Sequence, residues 1–340
     1  MIPSDKSAAV SRALSDAFGV TECDDIRAMP RGLGSALLFR IVVKGCPFLL
    51  RIRTRIDPSN DLARPFTCMQ AAASAGLAPR VRYASVEDGI SITDFVEALP
   101  FPAAEALVRM PGTLRALHAL PPFPKTLNYA TVGKSIRRLE TANLLPQAEI
   151  EEAFHHYARL CAVYPRVDSD MVPCHNDLKP ENVLFDGQRV WLADWTAAHV
   201  NDRYFDLAVV AAFLVTNEAE ERALLEEYFG RAAGDYERAR FRLMGQVVHM
   251  MAAAIFLLLF SGGRPVDRNE PLPRFGEFHR RIWTGEIDLA DNALKLVYAR
   301  VHWAQLLENA RQERFEEALR IVSEREGSAK GTRRLLAADQ

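Results

Sequence analysis

Residues 172–185 read Val172-Pro-Cys-His-Asn-Asp-Leu-Lys-Pro-Glu-Asn-Val-Leu-Phe185, and residues 190–195 read Val190-Trp-Leu-Ala-Asp-Trp195. The apolar triplets at 183–185 and 190–192 are extended in pattern, and Asp186-Gly187 between them is a favoured tight-turn pair. A hairpin is therefore expected. Before it stands a polar loop carrying His175, Asp177 and Asn182 in an H-x-D-x-x-x-x-N spacing, and after it stands Asp194. A hairpin returns its end to its start, so Asp194 is expected beside Asn182. An amide oxygen and a carboxylate, completed by phosphate oxygens and water, suit Mg²⁺. Asp177 is left to face an acceptor hydroxyl. Phosphoryl transfer asks little more of a protein than a group that orients or deprotonates the attacking hydroxyl and ligands that hold the metal on the phosphates. His175 is expected to brace the loop by hydrogen bonds. Lys179 has two readings, a point charge for the transferred phosphate or a solvated loop lysine. The bland alternative is an acidic surface hairpin whose Asp and Asn are only turn formers. A complete set in this order argues against it.

Upstream, a helix is expected over 7–18 and strands over 26–29, 36–43 and 48–53, separated by the turn-rich Gly32-Leu33-Gly34-Ser35 and Lys44-Gly45-Cys46-Pro47. An Ala-rich helix over 63–75 stops at Gly76, with Pro79 just beyond. Two more strands, 80–85 and 90–96, complete a small β lobe over 1–96. From residue 103 the pattern turns helical: 107–117, 135–142 and 150–163, then a helix opened at Asn217 by a capping box with Glu220 and running to 229. In this stretch only 183–185 and 190–192 look extended. The fold class expected is α+β and bilobal, with a helical lobe over 97–322 and a flexible, charged tail over 323–340. The ligand belongs in the cleft between the lobes.

The chain has 340 residues, 49% hydrophobic and 25% charged, with a formal charge of -2. That balance argues against a broad nucleic-acid or anionic-membrane surface. The five cysteines form no C-x-x-C pair and cannot close among themselves, which suits a reducing, cytoplasmic setting. Residues 1–10 lack the apolar centre of a signal peptide. The longest apolar run, 250–260, is too short to span a bilayer and suits a buried helix.

The loop His-Asn-Asp-Leu-Lys-Pro-Glu-Asn resembles the catalytic loop of the protein-kinase-like superfamily. With Ala-Asp-Trp in place of Asp-Phe-Gly, it is similar to the choline/ethanolamine kinase and aminoglycoside phosphotransferase branch. The resemblance extends to Leu49-Leu50-Arg51-Ile52, Ala75-Gly-Leu-Ala-Pro79, Leu114-x-x-Leu117-His118 and Phe205-Asp206-Leu207-Ala208. It implies a bilobal protein-kinase-like fold, ATP and Mg²⁺ as cofactors, Asp177 as catalytic base, Asn182 and Asp194 as metal ligands, and Asp206 as support for the catalytic loop. A buried helix-capping role for Asp206 is compatible with that support. Protein kinases proper fit less well: the chain has no G-x-G-x-x-G, D-F-G or A-P-E.

On the nucleotide side, the resemblance puts Arg51 on the phosphates. Arg53 and Arg55 share its strand face by alternation, and an exposed basic edge strand is the alternative. Gly32, Gly34 and Ser35 offer backbone N–H groups to phosphate, or form an ordinary hairpin turn. Asp94-Phe95-Val96 links the lobes, with backbone groups for adenine and Phe95 or Val96 packing the ring; a plain core strand fits the same residues. The acid that relatives carry on the first-lobe helix is missing, since its position falls on Pro65. Asp61 is the candidate substitute, unless Arg51 is held by other groups.

The acceptor has two readings. A quaternary ammonium calls for an aromatic cage, for which Trp195, Tyr204, Trp283, Tyr298 and Trp303 are candidates, although scattered aromatics are commonly core. An aminoglycoside calls for carboxylates, for which Glu218, Glu220, Glu221, Glu226, Glu227, Asp288 and Asp291 are available. The expected function is an ATP-dependent O-phosphotransferase acting on a small amino alcohol or aminoglycoside-like molecule. The alternative is a catalytically idle kinase-like binding module.

Overall fold

The computed structural model describes residues 2–29, 36–54, 63–124, 129–267 and 270–338, without the side chains of 129–132 and 326–338. Two lobes emerge in the order expected. Helix α1 (Ser7–Phe18) precedes strands β1 (Asp25–Ala28), β2 (Ala36–Val43) and β3 (Cys46–Arg53). Helix α2 (Ala63–Ser74) then leads to β4 (Val81–Ser85) and β5 (Ile90–Asp94). The strands form one antiparallel sheet in the order β1-β2-β3-β5-β4.

Alternation along β2 and β3 decides what this lobe does. Phe39, Ile41, Val43, Phe48, Leu50 and Ile52 point to one face and bury there against Ala9, Val10, Ala13 and Leu14 of α1. Each such aliphatic burial contributes about 2 kcal/mol. The intervening residues, Arg51 and Arg53 among them, must then face the other way, toward the helical lobe. β5 ends at Asp94, two residues before the expected limit, as the chain turns into the linker. Gly76 closes α2 at φ +73°, and a Cβ there would stand 2.8 Å from an Arg189 guanidinium nitrogen. A backbone bond ties the lobes, Leu192 N–H donating to the Leu77 carbonyl at 2.7 Å, and Leu99 N–H, just past the linker, donates to the Phe185 carbonyl at 2.7 Å.

The second lobe opens with α3 (Ala103–His118), α4 (Tyr129–Thr141) and α5 (Gln147–Val163). A short strand β6 (Met171–Cys174) enters the polar loop. The hairpin β7 (Val183–Phe185) and β8 (Val190–Leu192) follows as expected, paired Val183↔Leu192. Strand β9 (His199–Asp202) then pairs antiparallel with β6. This β6–β9 pair was not foreseen, because four-residue strands as mixed as His-Val-Asn-Asp carry no readable alternation. Helices α6 (Arg203–Leu214), α7 (Glu218–Phe229), α8 (Asp235–Phe260), α9 (Phe275–Trp283), α10 (Asn292–Ala310) and α11 (Glu313–Ala338) complete the lobe. α11 carries helix through most of the stretch expected to be a flexible tail. Asn217 caps α7 by accepting from Ala219 and Glu220 N–H, but Glu220 turns back to Thr216, so the box is not reciprocal.

α8 is apolar and long enough to cross a membrane by length and composition. In this fold it is the core helix of the lobe, packed on by α4, α6, α10 and α11. It also buries Arg240, Gln246 and His249: Arg240 donates to Asp202 of β9, Gln246 to the Leu306 carbonyl of α10, and His249 meets His302 of α10.

Candidate active site

The loop between β6 and β7 is built from below by one carboxylate. Asp206, on the first turn of α6, is fully buried. Its two oxygens accept the backbone N–H groups of His175 and Asn176, each at 2.8 Å. His118 of α3 approaches the same carboxylate at 3.3 Å and is itself 2.7 Å from the Tyr228 hydroxyl. Burial alone pushes Asp206 up, but bonds to His118 and to the His175 N–H, with the fields of both imidazoles, bring it below the ordinary carboxylate range. His118, Cys174 and Asp206 stand close enough for a metal. Asp206 already has two backbone donors and His118 on its oxygens, so the cluster reads as the loop's anchor.

His175 is wholly buried, with Nε2 2.8 Å from the Ala193 carbonyl oxygen. It links the start of the loop to the residue before Asp194 and touches no open cleft. Asn176 sits at φ +65°, a conformation that Asn tolerates better than most residues. Its amide donates to the carbonyls of Cys174, Ala197 and His199, and its Oδ1 accepts from Asn201. The Asn of the His-Asn-Asp wording therefore has a backbone reason to be there, which the sequence alone did not disclose.

Asp177 and Asn182 come together as the spacing implied. Asn182 Nδ2 donates to the Asp177 carbonyl at 2.8 Å and to its Oδ2 at 2.9 Å. The Lys179 ammonium lies 3.3 Å from the same Oδ2. Desolvation raises the Asp177 pKa, and the charges of Lys179 and His175 oppose it while that of Asp194 adds to it. Lys179 thus stands beside Asp177, half-buried, and is not a free loop lysine.

Asp194 follows β8 at φ +57°. Its Oδ1 accepts from the Thr196 hydroxyl at 2.6 Å, the Thr196 N–H at 3.3 Å and the Arg51 guanidinium at 2.9 Å. Burial would raise this carboxyl. Arg51 and the Thr196 bonds overcome that and bring it down to about 2. Every bond described to Asp194 falls on Oδ1. Both bonds described to the Asn182 amide use Nδ2. Among the described residues Asp194 Oδ2 and Asn182 Oδ1 therefore remain as hard oxygen donors, a set that fits Mg²⁺.

Arg51 is thus held by Asp194 and by the Thr196 hydroxyl at 3.3 Å, without an acid from α2. Asp61, the expected partner, and Gly32, Gly34, Ser35 and Arg55 lie outside the described residues. Arg53 reaches the same Thr196 hydroxyl at 3.0 Å. Where relatives were expected to place an acid, α2 offers Arg64 beside Pro65. Its guanidinium donates to the carbonyls of Ala198 and, at 3.2 Å, Thr196. The sequence reading missed Arg64 and Thr196, since neither belongs to a spaced motif.

Asp94, Phe95 and Val96 lie between the lobes as expected. They line a cavity of about 580 Å³ with Gly76, Pro79 and, opposite, Trp191. Its walls include none of Arg51, Asp177, Asn182 and Asp194. The Asp94 N–H is taken by the Arg80 carbonyl and its side chain by Arg82 at 2.6 Å.

The aromatic acceptor candidates need correction. Trp195 and Tyr204 are 3% exposed; Trp195 packs 4.9 Å from His175, and Tyr204 stacks 4.7 Å from the Arg240 guanidinium. Trp283 and Trp303 are likewise core, with indole N–H groups donating to the Phe101 carbonyl and to Glu149. Aromatic rings bring the most apolar area to a core and settle there when a polar tip finds a partner. Tyr298, 9% exposed, is core as well; burial first, then the charges of Asp177 and Glu181, push its phenol up. Of the acidic candidates, Glu220 caps Thr216, Glu221 pairs with Arg242, and Asp288 and Asp291 cap backbone N–H groups.

Residues 25–242 match the phosphotransferase enzyme family. Protein LicA of Haemophilus influenzae is 30% identical over 220 residues, 59% of this chain and 62% of that protein, so the match spans less than two thirds of that relative. The fold is similar to that of a choline/ethanolamine kinase family protein from Mesorhizobium loti, with a TM-score of 0.67 at 20% identity over 94% of this chain and 99% of that one. It is also similar to a spectinomycin phosphotransferase solved with ADP and spectinomycin, with a TM-score of 0.56 at 11% identity over 86% of this chain and 98% of that one. The matched segment contains Arg51, Asp177, Asn182, Asp194 and Asp206, and on that match the chain belongs to the phosphotransferase enzyme family.

Proposed function

We propose that the chain transfers the γ-phosphoryl group of ATP to the hydroxyl of a small amino alcohol. The observation that carries this reading is the pair Asp177–Asn182, a half-buried carboxylate held at 2.9 Å by an amide whose oxygen is left for a metal. Asp177 would orient the acceptor hydroxyl and take its proton as the new O–P bond forms. The bond from the γ-phosphorus to the bridging oxygen breaks, and ADP leaves with that electron pair. Asn182 and Asp194 would hold Mg²⁺, which when bound neutralises charge on the phosphates. Lys179, beside Asp177, would meet the transferred group, and Arg51 would move from Asp194 onto the nucleotide phosphates.

The amino-alcohol class is supported by the likeness of the fold to a choline/ethanolamine kinase family protein. The candidate acids for an aminoglycoside are largely engaged in caps and ion pairs. An ADP-release assay over amino alcohols, aminoglycosides, macrolides, sugars and homoserine tests the class, with turnover expected on amino alcohols. Asp177→Asn should lower turnover by about 10²-fold or more while magnesium-dependent stabilisation by ATP persists. Full activity in that variant would sink the mechanism.

A further inference from the structure

Three histidines outside the matched segment lie end to end in the helical lobe: His249 of α8, His302 of α10 and His279 of α9. His249 Nδ1 is 3.0 Å from His302 Nδ1, and His302 Nε2 is 3.0 Å from His279 Nε2. His279 Nδ1 is 2.9 Å from the Phe275 carbonyl oxygen. Each neutral imidazole owns one N–H, and each bond needs one. A carbonyl only accepts, so His279 carries its proton on Nδ1. Its Nε2 is then a lone pair, and His302 must donate from Nε2. That leaves His302 Nδ1 to accept from His249 Nδ1–H. Three bonds fix three tautomers in one direction, and a single ring nitrogen, Nε2 of His249, stands outside the chain.

The chain is buried: His279 and His302 are fully covered and His249 is 7% exposed. Burial lowers all three pKa values, to about 3 for His249 and about 4 for His279, which keeps the imidazoles neutral. Phe275 closes over His279 at 3.9 Å and meets His249 and His302 edge-on. Tyr298 packs 4.4 Å from His302 and 5.2 Å from His279. Its phenol is the one that feels Asp177 and Glu181. Aliphatic side chains could fill the same volume, but they would not fix the rotation of one helix against another. A directional chain of hydrogen bonds does both.

Building on the phosphotransferase reading, we propose that the His249–His302–His279 chain is the positioning device of the acceptor side, locking α8, α9 and α10 in one register around Tyr298, which packs 4.4 Å from His302. His302, the central member and the one bonded to a histidine through each nitrogen, is the positioning residue. It touches no reacting atom.

Gln offers an oxygen acceptor and an N–H donor at nearly the spacing of the two ring nitrogens, so His302→Gln should keep the chain and His302→Leu should cut it. In the ADP-release assay, His302→Leu is expected to raise the acceptor KM about tenfold with the ATP KM held within about twofold. His302→Gln should return the acceptor KM to within about threefold of wild type. On ¹⁵N-labelled wild type, NMR should show protonated Nδ1 on His249 and His279 and protonated Nε2 on His302. An unchanged acceptor KM in His302→Leu, a Gln variant no better than Leu, or a His302 protonated on Nδ1 would each overturn the proposal. If His302→Leu fails to fold, the Gln variant and the tautomer spectrum still decide it. A wild-type chain that transfers phosphate to nothing would instead overturn the reading on which the proposal rests.

Discussion

The Arg51 guanidinium donates to Asp194 Oδ1 at 2.9 Å, joining β3 of the small lobe to the second residue after β8 of the large one. The cation proposed for the phosphates thus rests on the carboxylate proposed for the metal. The contact holds Asp194 ionised at about 2 despite burial. A bound metal would replace Arg51 as the charge partner of Asp194 and free it for phosphate oxygens.

Arg51→Met should therefore act on nucleotide use more than on folding. Loss of one charge-assisted contact predicts a fall in kcat/KM for ATP of about tenfold to a hundredfold. Steady-state kinetics with varied ATP check it, and an unchanged ATP KM would remove Arg51 from the phosphate site.

Arg64 grips the carbonyls of Thr196 and Ala198, just beyond a residue held at φ +57°. Arg64→Ala loosens the segment that aims Asp194. The Mg²⁺ concentration for half-maximal rate should rise about three- to tenfold. A magnesium titration at saturating ATP reads it, and an unchanged midpoint counts against the role.

Lys179 opposes the desolvation that raises Asp177. Removing its charge in Lys179→Met leaves that desolvation less opposed, so the Asp177 pKa rises further. A base must be ionised to work, so activity is lost as pH falls through that pKa. The acid limb of the pH–rate profile should move to higher pH in the variant, in addition to any loss of kcat. A limb that stays put or moves down would show that Asp177 does not set it.

The three buried histidines make stability acid-sensitive in a defined window. Their pKa values in the fold lie below the ordinary 6.5, near 3 for His249 and near 4 for His279. Below 6.5 the unfolded chain takes up protons that the folded chain refuses. Stability is thus full above that value and falls as pH drops toward 4. At pH 5 the loss amounts to about 2 kcal/mol per imidazole. Urea midpoints at pH 7 and pH 5 measure it, and replacing His249 and His279 by neutral residues should flatten the difference.

Arg240, 1% exposed, pairs with Asp170 and Asp202 and lies under the rings of Tyr164, Tyr204 and Tyr236. Arg240→Met leaves the buried Asp202 without its cation and takes from Asp170 one of two, the other being Arg203 at 3.2 Å. The expected cost is about 3–5 kcal/mol, read from denaturant unfolding. A change below about 1 kcal/mol would show that the network is solvated.

What the sequence determined by itself is the part built from near neighbours. An H-x-D-x-x-x-x-N loop followed by two apolar triplets around Asp-Gly specifies a hairpin, and the hairpin places Asp177, Asn182 and Asp194 together within eighteen residues. Strand alternation likewise put Arg51 on the face turned away from α1. Partners far apart in the chain were decided only by tertiary structure. Arg51 meets Asp194 across 143 positions and Arg64 meets Ala198 across 134, and no spacing rule joins such pairs. The fate of the aromatics was decided the same way. Trp195, Trp283, Tyr298 and Trp303 have the composition of a cation cage, but burial against neighbouring elements claimed them. The histidine chain had no signature in the sequence, because three helices that meet only after folding each supply one link.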